Sequence, residues 1–94
     1  MAKAEVNGVV LAESAETEMV EGNHYFPKDS VNWDHFTETD HATGCPWKGT
    51  ANYYSVEANG DKLENVAWQY KEPKEKAANI KDYVAFYPQV TVTD

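Results

Sequence analysis

The sequence predicts an all-β domain, mostly antiparallel, with one or two short helical turns. Two Asn-Gly pairs, Asn7-Gly8 and Asn59-Gly60, lie between runs of apolar residues. Asn-Gly is a strong hairpin signal because a type I′ turn needs a positive φ at both central residues. The third observation is the order of signals along the chain, in which β-prone runs alternate with turn residues.

Each Asn-Gly pair has strand-like flanks. Val9 and Val10 after the first pair suit a pleated strand because they are β-branched. Around the second pair, we expect residues 50–58 and 63–70 to form two antiparallel strands. In the first strand, alternation places Tyr54 and Val56 on one face and Tyr53 on the other. In the return strand, it places three apolar residues on one face: Val66, Trp68 and Tyr70.

The segments before the central hairpin are less regular. Residues 16–21 contain glutamates that would suit a helix start, but their alternation favours a strand. Pro27 ends that strand, and Asp29-Ser30 can cap one short helical turn. No period is visible in residues 37–49, which we interpret as a long loop.

After the central hairpin, the sequence predicts one short helix and one closing strand. The chain breaks at Pro73 and then offers several helix-favouring residues. Residues 82–92 predict the closing strand, with Val84 and Phe86 on the face opposite Ala85. There is no internal repeat or linker, so we expect a single domain over residues 1–94.

The charge balance excludes some partners. Sixteen acidic residues against eight basic ones give a net charge of −8. This field repels nucleic-acid phosphates and anionic membranes, so we expect neither as a partner. The N-terminal segment has no apolar signal-like run, and the one cysteine cannot form an internal disulfide. These features favour a cytoplasmic protein.

Cys45 allows three interpretations. Lys48 and the glycines around it would favour a reactive thiolate, whereas free cysteine more often behaves as a small hydrophobe. The third interpretation is a metal ligand, because three further potential ligands precede the thiol: His35, Asp40 and His41. Structural zinc sites generally need more than one cysteine. We therefore expect no metal and no cofactor, and a structural or ligand-lining thiol.

The aromatic content favours a cleft. A core of this size cannot hide every amphipathic ring, so some rings are expected to face solvent or a ligand. The rings concerned are Trp47, Tyr53, Trp68, Tyr70, Tyr83 and Tyr87.

Five segments in this order resemble a bacterial family of unknown function, DUF427, which also carries a nucleotidyltransferase-like label. They are "NGVVLAES", "YFPKDSV", "TGCPWKGTANYYSV", "VAWQYKEP" and "IKDYVAFYP". The resemblance implies a tent-like all-β fold. The residues that match the family's pattern are Tyr25, Phe26, Pro27, Cys45, Pro46, Lys48, Gly49, Tyr53, Trp68 and Tyr70.

Our first functional hypothesis is small-molecule binding in an aromatic cleft beside residues 43–49. We expect Cys45 on the floor of this cleft as a neutral thiol and Lys48 at its rim. The expected ligand-binding residues are Tyr25, Cys45, Lys48, Tyr53, Trp68 and Tyr70.

Two alternatives from other classes remain open. One is an enzyme that uses Cys45 as nucleophile or redox centre, with His24, His35 or His41 as base. The other is an acidic adaptor that binds a protein through Trp33 and Trp47. Open strand edges would also allow a second copy to pair as a homodimer.

Overall fold

The computed structural model describes residues 1–94, which form nine strands and three short 3₁₀ turns. The turns span Lys28–Ser30, Trp33–His35 and Glu75–Ile80. The strands are β1 (Ala2–Val6), β2 (Val9–Ser14), β3 (Glu18–Val20), β4 (Asn23–Tyr25), β5 (Phe36–Cys45), β6 (Gly49–Ala58), β7 (Asp61–Gln69), β8 (Val84–Phe86) and β9 (Thr91–Thr93).

The strands form three antiparallel sheets. Their orders are β2-β1-β9, β3-β4 and β5-β6-β7-β8. Because every pairing between strands is antiparallel and the only helical elements are short 3₁₀ turns, the predicted all-β class is confirmed. No helix has the length and apolar character needed to cross a membrane.

Both Asn-Gly turns are confirmed. Asn7 and Gly8 have φ of 51° and 77°, and Asn59 and Gly60 have φ of 49° and 87°. A third turn of the same kind joins β3 to β4 at Glu21-Gly22, with φ of 53° and 81°. The sequence did not predict this hairpin, because glutamate is not a residue that usually marks a positive φ.

The long loop predicted for residues 37–49 is wrong. Most of that segment is β5, and only residues 46–48 form a turn between β5 and β6. β5 is the outer strand of its sheet and most of its side chains are exposed. It is also irregular between Glu38 and Ala42. An exposed, bulged edge strand needs no apolar alternation, so the sequence carries no signal for it.

Two other strand assignments need correction. The predicted closing strand is divided into β8 and β9, which pair with β7 and β1 respectively. Pro88 lies in the intervening turn, and its fixed φ and missing N–H do not suit a continuous ladder. Val66 does not share a face with Trp68, because the irregularity of β7 around Asn65, which has φ of 53°, rotates it to the other side.

Two apolar clusters lie on the two faces of the four-stranded sheet. The first, of 13 buried residues, includes Leu11, Phe26, Tyr54 and Phe86 and fills the space toward β1 and β2. The second has eight buried residues and is mostly aromatic: Tyr25, Ala51, Tyr53, Trp68, Tyr70, Ala77, Ile80 and Ala85. The expected burial of Trp68 is confirmed, since 9% of its surface is exposed.

The β3–β4 turn provides a test of the positive-φ geometry. A Cβ at Gly22 would meet nothing within 4 Å, so Gly22→Ala causes no steric clash with the rest of the protein. The variant therefore measures the energetic cost of placing a residue other than glycine at positive φ. We expect it to lower the free energy of unfolding by about 1–2 kcal/mol in urea denaturation.

Gly44→Ala is the matched control. A Cβ at Gly44 would also meet nothing within 4 Å, but the φ of Gly44 lies outside the left-handed range. We expect this variant to be as stable as the parent or slightly more stable. Equal losses in the two variants would contradict the turn geometry.

Candidate functional site

The structure brings together the four aromatic residues among the six expected ligand-binding residues, on one face of the four-stranded sheet. Tyr25, Tyr53, Trp68 and Tyr70 are all buried in the second apolar cluster. The indole N–H of Trp68 donates to the Tyr25 hydroxyl at 3.1 Å. The rings fill their own space, and none of the six residues lines any of the five principal surface concavities. That they bind a ligand stays a prediction.

Lys48 is buried, with 7% of its surface exposed, so its expected place at a rim is wrong. Its ammonium group donates to the Glu21 carboxylate, and it lies 5.4 Å from the centre of the Trp47 ring and 5.6 Å from that of Tyr70. Burial alone would lower the pKa of Lys48, but the Glu21 hydrogen bond and neighbouring charges raise it overall. The protonated amine therefore joins two turns and is not a nucleophile at neutral pH.

Cys45 ends β5 and is half-buried. No hydrogen bond joins its thiol to a histidine. The imidazole of His24 contacts Thr17 and Asp94, that of His35 contacts the Glu57 carbonyl, and His41 packs edge-on against Tyr53. The structure therefore gives no thiol–imidazole pair.

A chain of hydroxyl groups runs along the edge of the aromatic cluster. The Tyr53 hydroxyl lies 3.0 Å from Thr43 Oγ1 and 3.2 Å from the Tyr87 hydroxyl. The Tyr53 and Tyr87 rings stack with their centres 6.2 Å apart. The hydrogen bond to Tyr53 and partial burial raise the pKa of Tyr87 to about 12. Tyr87 is therefore a neutral donor over the physiological range.

The largest surface concavity lies elsewhere, around Trp33. It has a volume of about 770 Å³. A second concavity of about 360 Å³ adjoins it and shares Lys28, Trp33 and Asp82. We call the two together the Trp33 groove. The other lining residues are Ser14, Glu16, Pro27, Asp29, Lys81 and Tyr83 in the larger part, and Tyr54, Gln69 and Lys71 in the smaller part.

Local structure fixes the Trp33 ring in this groove. Its indole N–H donates to the Lys28 carbonyl at 2.9 Å, which ties together the first two 3₁₀ turns. The ring packs against Phe36 and Tyr54, with both pairs of centres 5.2 Å apart. Trp33 remains partly exposed, so part of this oriented ring is free to contact a ligand.

The smaller part of the groove has a hydrogen-bonded polar lining. The buried Gln69 accepts a hydrogen bond from the Tyr54 hydroxyl at 2.6 Å and donates to the Asp82 carbonyl at 2.8 Å. Burial, and next the Glu38 charge, raises the pKa of Tyr54. Tyr54 therefore remains a neutral donor and holds the Gln69 amide in one orientation.

Most of the charged side chains of the groove have no partner in the protein. Hydrogen bonds and ion pairs occupy neither the ammonium groups of Lys28 and Lys81 nor the carboxylates of Glu16, Asp29 and Asp82. Lys71 is the exception, because Glu38 holds its ammonium group. The groove thus presents separate charges of both signs to any molecule that enters it.

Sequence reasoning missed this groove. It identified Trp33 only as a ring for a protein partner and residues 28–30 only as a helical turn. Asp82 has φ of 65°, and its position beside Gln69 follows from the tertiary fold. The sequence has Trp33 close behind the Pro27-Lys28-Asp29-Ser30 turn, but it carries no signal for the groove, because the lining residues come from separate segments.

No group of three or more histidine, cysteine or acidic side chains is arranged to hold a metal ion. His35, Asp40, His41 and Cys45 are spread from the second 3₁₀ turn to the far end of the ten-residue β5. The residues present therefore give no donor set for zinc or magnesium.

Comparison with known protein families identifies a match over the whole chain. The model of a family described as a domain of unknown function (DUF427) matches residues 1–94. The chain therefore belongs to this family, as its sequence segments indicated. A search of curated proteins finds no match.

The Lys48–Glu21 ion pair provides a stability test. Glu21→Gln removes the carboxylate and leaves the buried ammonium beside aromatic rings, so we expect a loss of about 1–2 kcal/mol in the free energy of unfolding at pH 7. The matched control is Glu38→Gln, which breaks the exposed Lys71 pair and is expected to change stability by about 0–1 kcal/mol.

The pH dependence of this effect has a definite sign. The pKa of Lys48 is raised above its ordinary value of 10.5 in the folded protein, so the stabilisation is constant from neutral pH up to about pH 10.5. It is lost as the pH rises through the raised pKa. From neutral pH upward, the difference in the free energy of unfolding between parent and Glu21→Gln should therefore narrow only in the alkaline range. A difference that narrows near neutral pH would contradict this assignment.

The tyrosine pair provides a spectroscopic test. We expect Tyr53→Phe to lower the pKa of Tyr87 from about 12 toward 10, because it removes the hydrogen bond that is the largest cause of the increase. Tyrosinate absorbance after a rapid pH jump, read before unfolding, measures this pKa. Tyr87→Phe identifies the signal by removing it. A Tyr87 pKa that Tyr53→Phe leaves unchanged would contradict the contact.

Proposed function

We propose that this DUF427 domain binds a small polar molecule in the Trp33 groove. The observation that carries the proposal is the combination of an oriented, partly exposed tryptophan ring with unpaired charges in one concavity. Rings provide apolar contact area, and a few polar groups fix orientation, as is typical of small-molecule sites. Three of the eight lysines have carboxylate partners, and neither Lys28 nor Lys81 is among them.

The size of the groove supports a ligand of modest dimensions. Its larger part, about 770 Å³, falls within the range of roughly 300–1,000 Å³ that is usual for small-molecule sites. Most of the lining residues are polar or charged, with Pro27 and Trp33 as the clearest apolar exceptions. This composition favours a polar or zwitterionic compound over a lipid or another fully apolar molecule.

This proposal keeps the class of ligand expected from the sequence and changes its place. The aromatic cluster around Trp68 is packed like a core, and Lys48 beside it is occupied by Glu21. A ligand on the aromatic faces beside residues 43–49 would have to displace one of these contacts. The concavity of about 440 Å³ that adjoins Gly49 has no aromatic residue in its lining. The Trp33 groove requires no such displacement, so we prefer it.

The adaptor hypothesis has one supporting observation. Trp47 and Tyr87 are each 39% exposed, and aromatic residues of this kind are enriched where proteins bind one another. We rank it second because the two rings do not line a concavity in common. The cysteine enzyme ranks lower, because the thiol has no hydrogen-bonded histidine to act as base.

Location and assembly are further proposals. A cytoplasmic location is supported by the half-buried free thiol of Cys45, which suits a reducing compartment. The net charge of −8 opposes nucleic-acid and membrane partners. A homodimer stays a prediction that rests on unpaired strand edges, such as the outer edge of β5.

The test is a screen of ring-bearing polar fragments by amide and indole NMR shifts. We expect shifts at Trp33, Asp82 and Tyr83 and none in residues 46–48. Trp33→Leu should weaken binding about tenfold, because the ligand loses the aromatic face. The control is Trp47→Leu, which removes an equally large ring from outside the groove.

The screen also separates the two locations. Shifts centred on residues 46–48 and Trp68 would contradict the groove and favour the aromatic cluster. A hit whose affinity falls equally in both tryptophan variants would likewise contradict the groove. If no fragment shifts any groove resonance, the proposal is wrong.

A further inference from the structure

We propose that the smaller part of the Trp33 groove, where Lys28, Gln69 and Lys71 converge, binds an anionic oxygen group of the ligand, a carboxylate or a phosphate. This inference rests on the proposed function and adds the orientation of the ligand. Lys28 and Lys71 both line one concavity of about 360 Å³, in a protein whose net charge is −8. Two lysines and a buried amide thus supply N–H donors to the same concavity.

Gln69 is the fixed polar group of this subsite. Only 2% of its surface is exposed. Its amide oxygen accepts from Tyr54, and its amide nitrogen donates one hydrogen to the Asp82 carbonyl. A side-chain amide carries two N–H donors, so one donor remains that the protein does not use. Because both partners hold the amide, this remaining N–H can bind an acceptor without further ordering.

The lysines provide the charge. Lys28 follows Pro27 in the first 3₁₀ turn, and its ammonium group makes no ion pair. Lys71 is held by the two oxygens of Glu38 at 2.8 and 2.9 Å. An ammonium group has three N–H donors, so this contact does not exhaust Lys71. Glu38 itself does not line the concavity.

One carboxylate, Asp82, lies among these groups and makes no side-chain contact. With Glu38, which holds Lys71, the two ammonium groups are balanced by two carboxylates, and Lys28 is the positive group without an ion-pair partner. The free Lys28 ammonium and the unused N–H donors of Gln69 and Lys71 favour an anion there, and Asp82 can accept a hydrogen bond from the same ligand. Trp33 borders both parts of the groove, so a ring attached to the anionic group would lie against the indole.

The experiment uses three probes of similar shape: benzoate, phenyl phosphate and the neutral benzamide. Each is titrated into the full chain, and binding is measured from NMR shifts of Lys28, Trp33 and Gln69. We expect benzoate and phenyl phosphate to bind more tightly than benzamide by about three- to tenfold, with an advantage that falls as salt is added. The stronger of the two acids identifies whether the group is carboxylate or phosphate.

Lys28→Gln is the diagnostic variant, because it removes one charge and leaves the backbone carbonyl that holds Trp33. We expect it to remove most of the anion advantage and to weaken benzamide binding much less. Lys76→Gln is the control, since Lys76 is exposed on the third 3₁₀ turn and lies outside the groove. It should leave all three affinities as they are.

The outcomes separate this inference from the proposed function. If the three probes bind in the groove with equal affinity, or if the two lysine variants behave alike, the anionic subsite is wrong while groove binding stands. If the anions shift only residues outside the groove, the subsite is wrong as well. If no probe binds and the wider fragment screen also fails, both proposals fall.

Discussion

The fold depends on β6, a strand with apolar packing on both of its faces. Tyr53 and Tyr54 are consecutive, so their side chains enter the two different clusters. A slip of one residue in the pairing with β7 would exchange the two rings and bury the wrong groups on each side. The register is fixed by the Asn59-Gly60 turn at one end of this hairpin.

The irregularity of β7 is accommodated by polar contacts. Asn65 has a positive φ, and its N–H donates to the Ser55 hydroxyl at 3.1 Å. Thr39 Oγ1 of β5 donates to the Asn65 side chain at 2.6 Å, so this contact joins β5 to β7 across β6. Beyond this bulge, Trp68 pairs with Tyr53 and Ala67 with Tyr54. One bulge, stabilised by side-chain hydrogen bonds, therefore determines which cluster each side chain of β7 faces.

The same alternation attaches the small β3–β4 sheet. Tyr25 enters the second cluster, and the next residue, Phe26, enters the first. The backbone of Phe26 exchanges two hydrogen bonds with Val84, at 2.8 and 2.9 Å. At the other end of this small sheet, Glu21 binds Lys48. Two consecutive residues thus join the small sheet to both apolar clusters.

The sequence could predict elements whose signal is local. The Asn-Gly turns and the faces of Tyr53 and Tyr54 follow from turn chemistry and a two-residue period. β5 could not be predicted, because an exposed edge strand has no apolar pattern. The aromatic cluster was visible as an excess of rings. The Trp33 groove was not, because Gln69, Asp82 and Lys28 meet only through tertiary contacts.

The pairing of β1 with β9 has a consequence for the order of folding during synthesis. Lys3 lies opposite Thr93, so a strand made at the beginning of the domain has to wait for one made at its end. The β6–β7 hairpin closes a short stretch of chain and can form while translation continues. β1 can meanwhile pair with β2 through its own turn. β9 must therefore emerge from the ribosome before the β2-β1-β9 sheet can be completed. Completion of this sheet is a late folding step that translation itself delays.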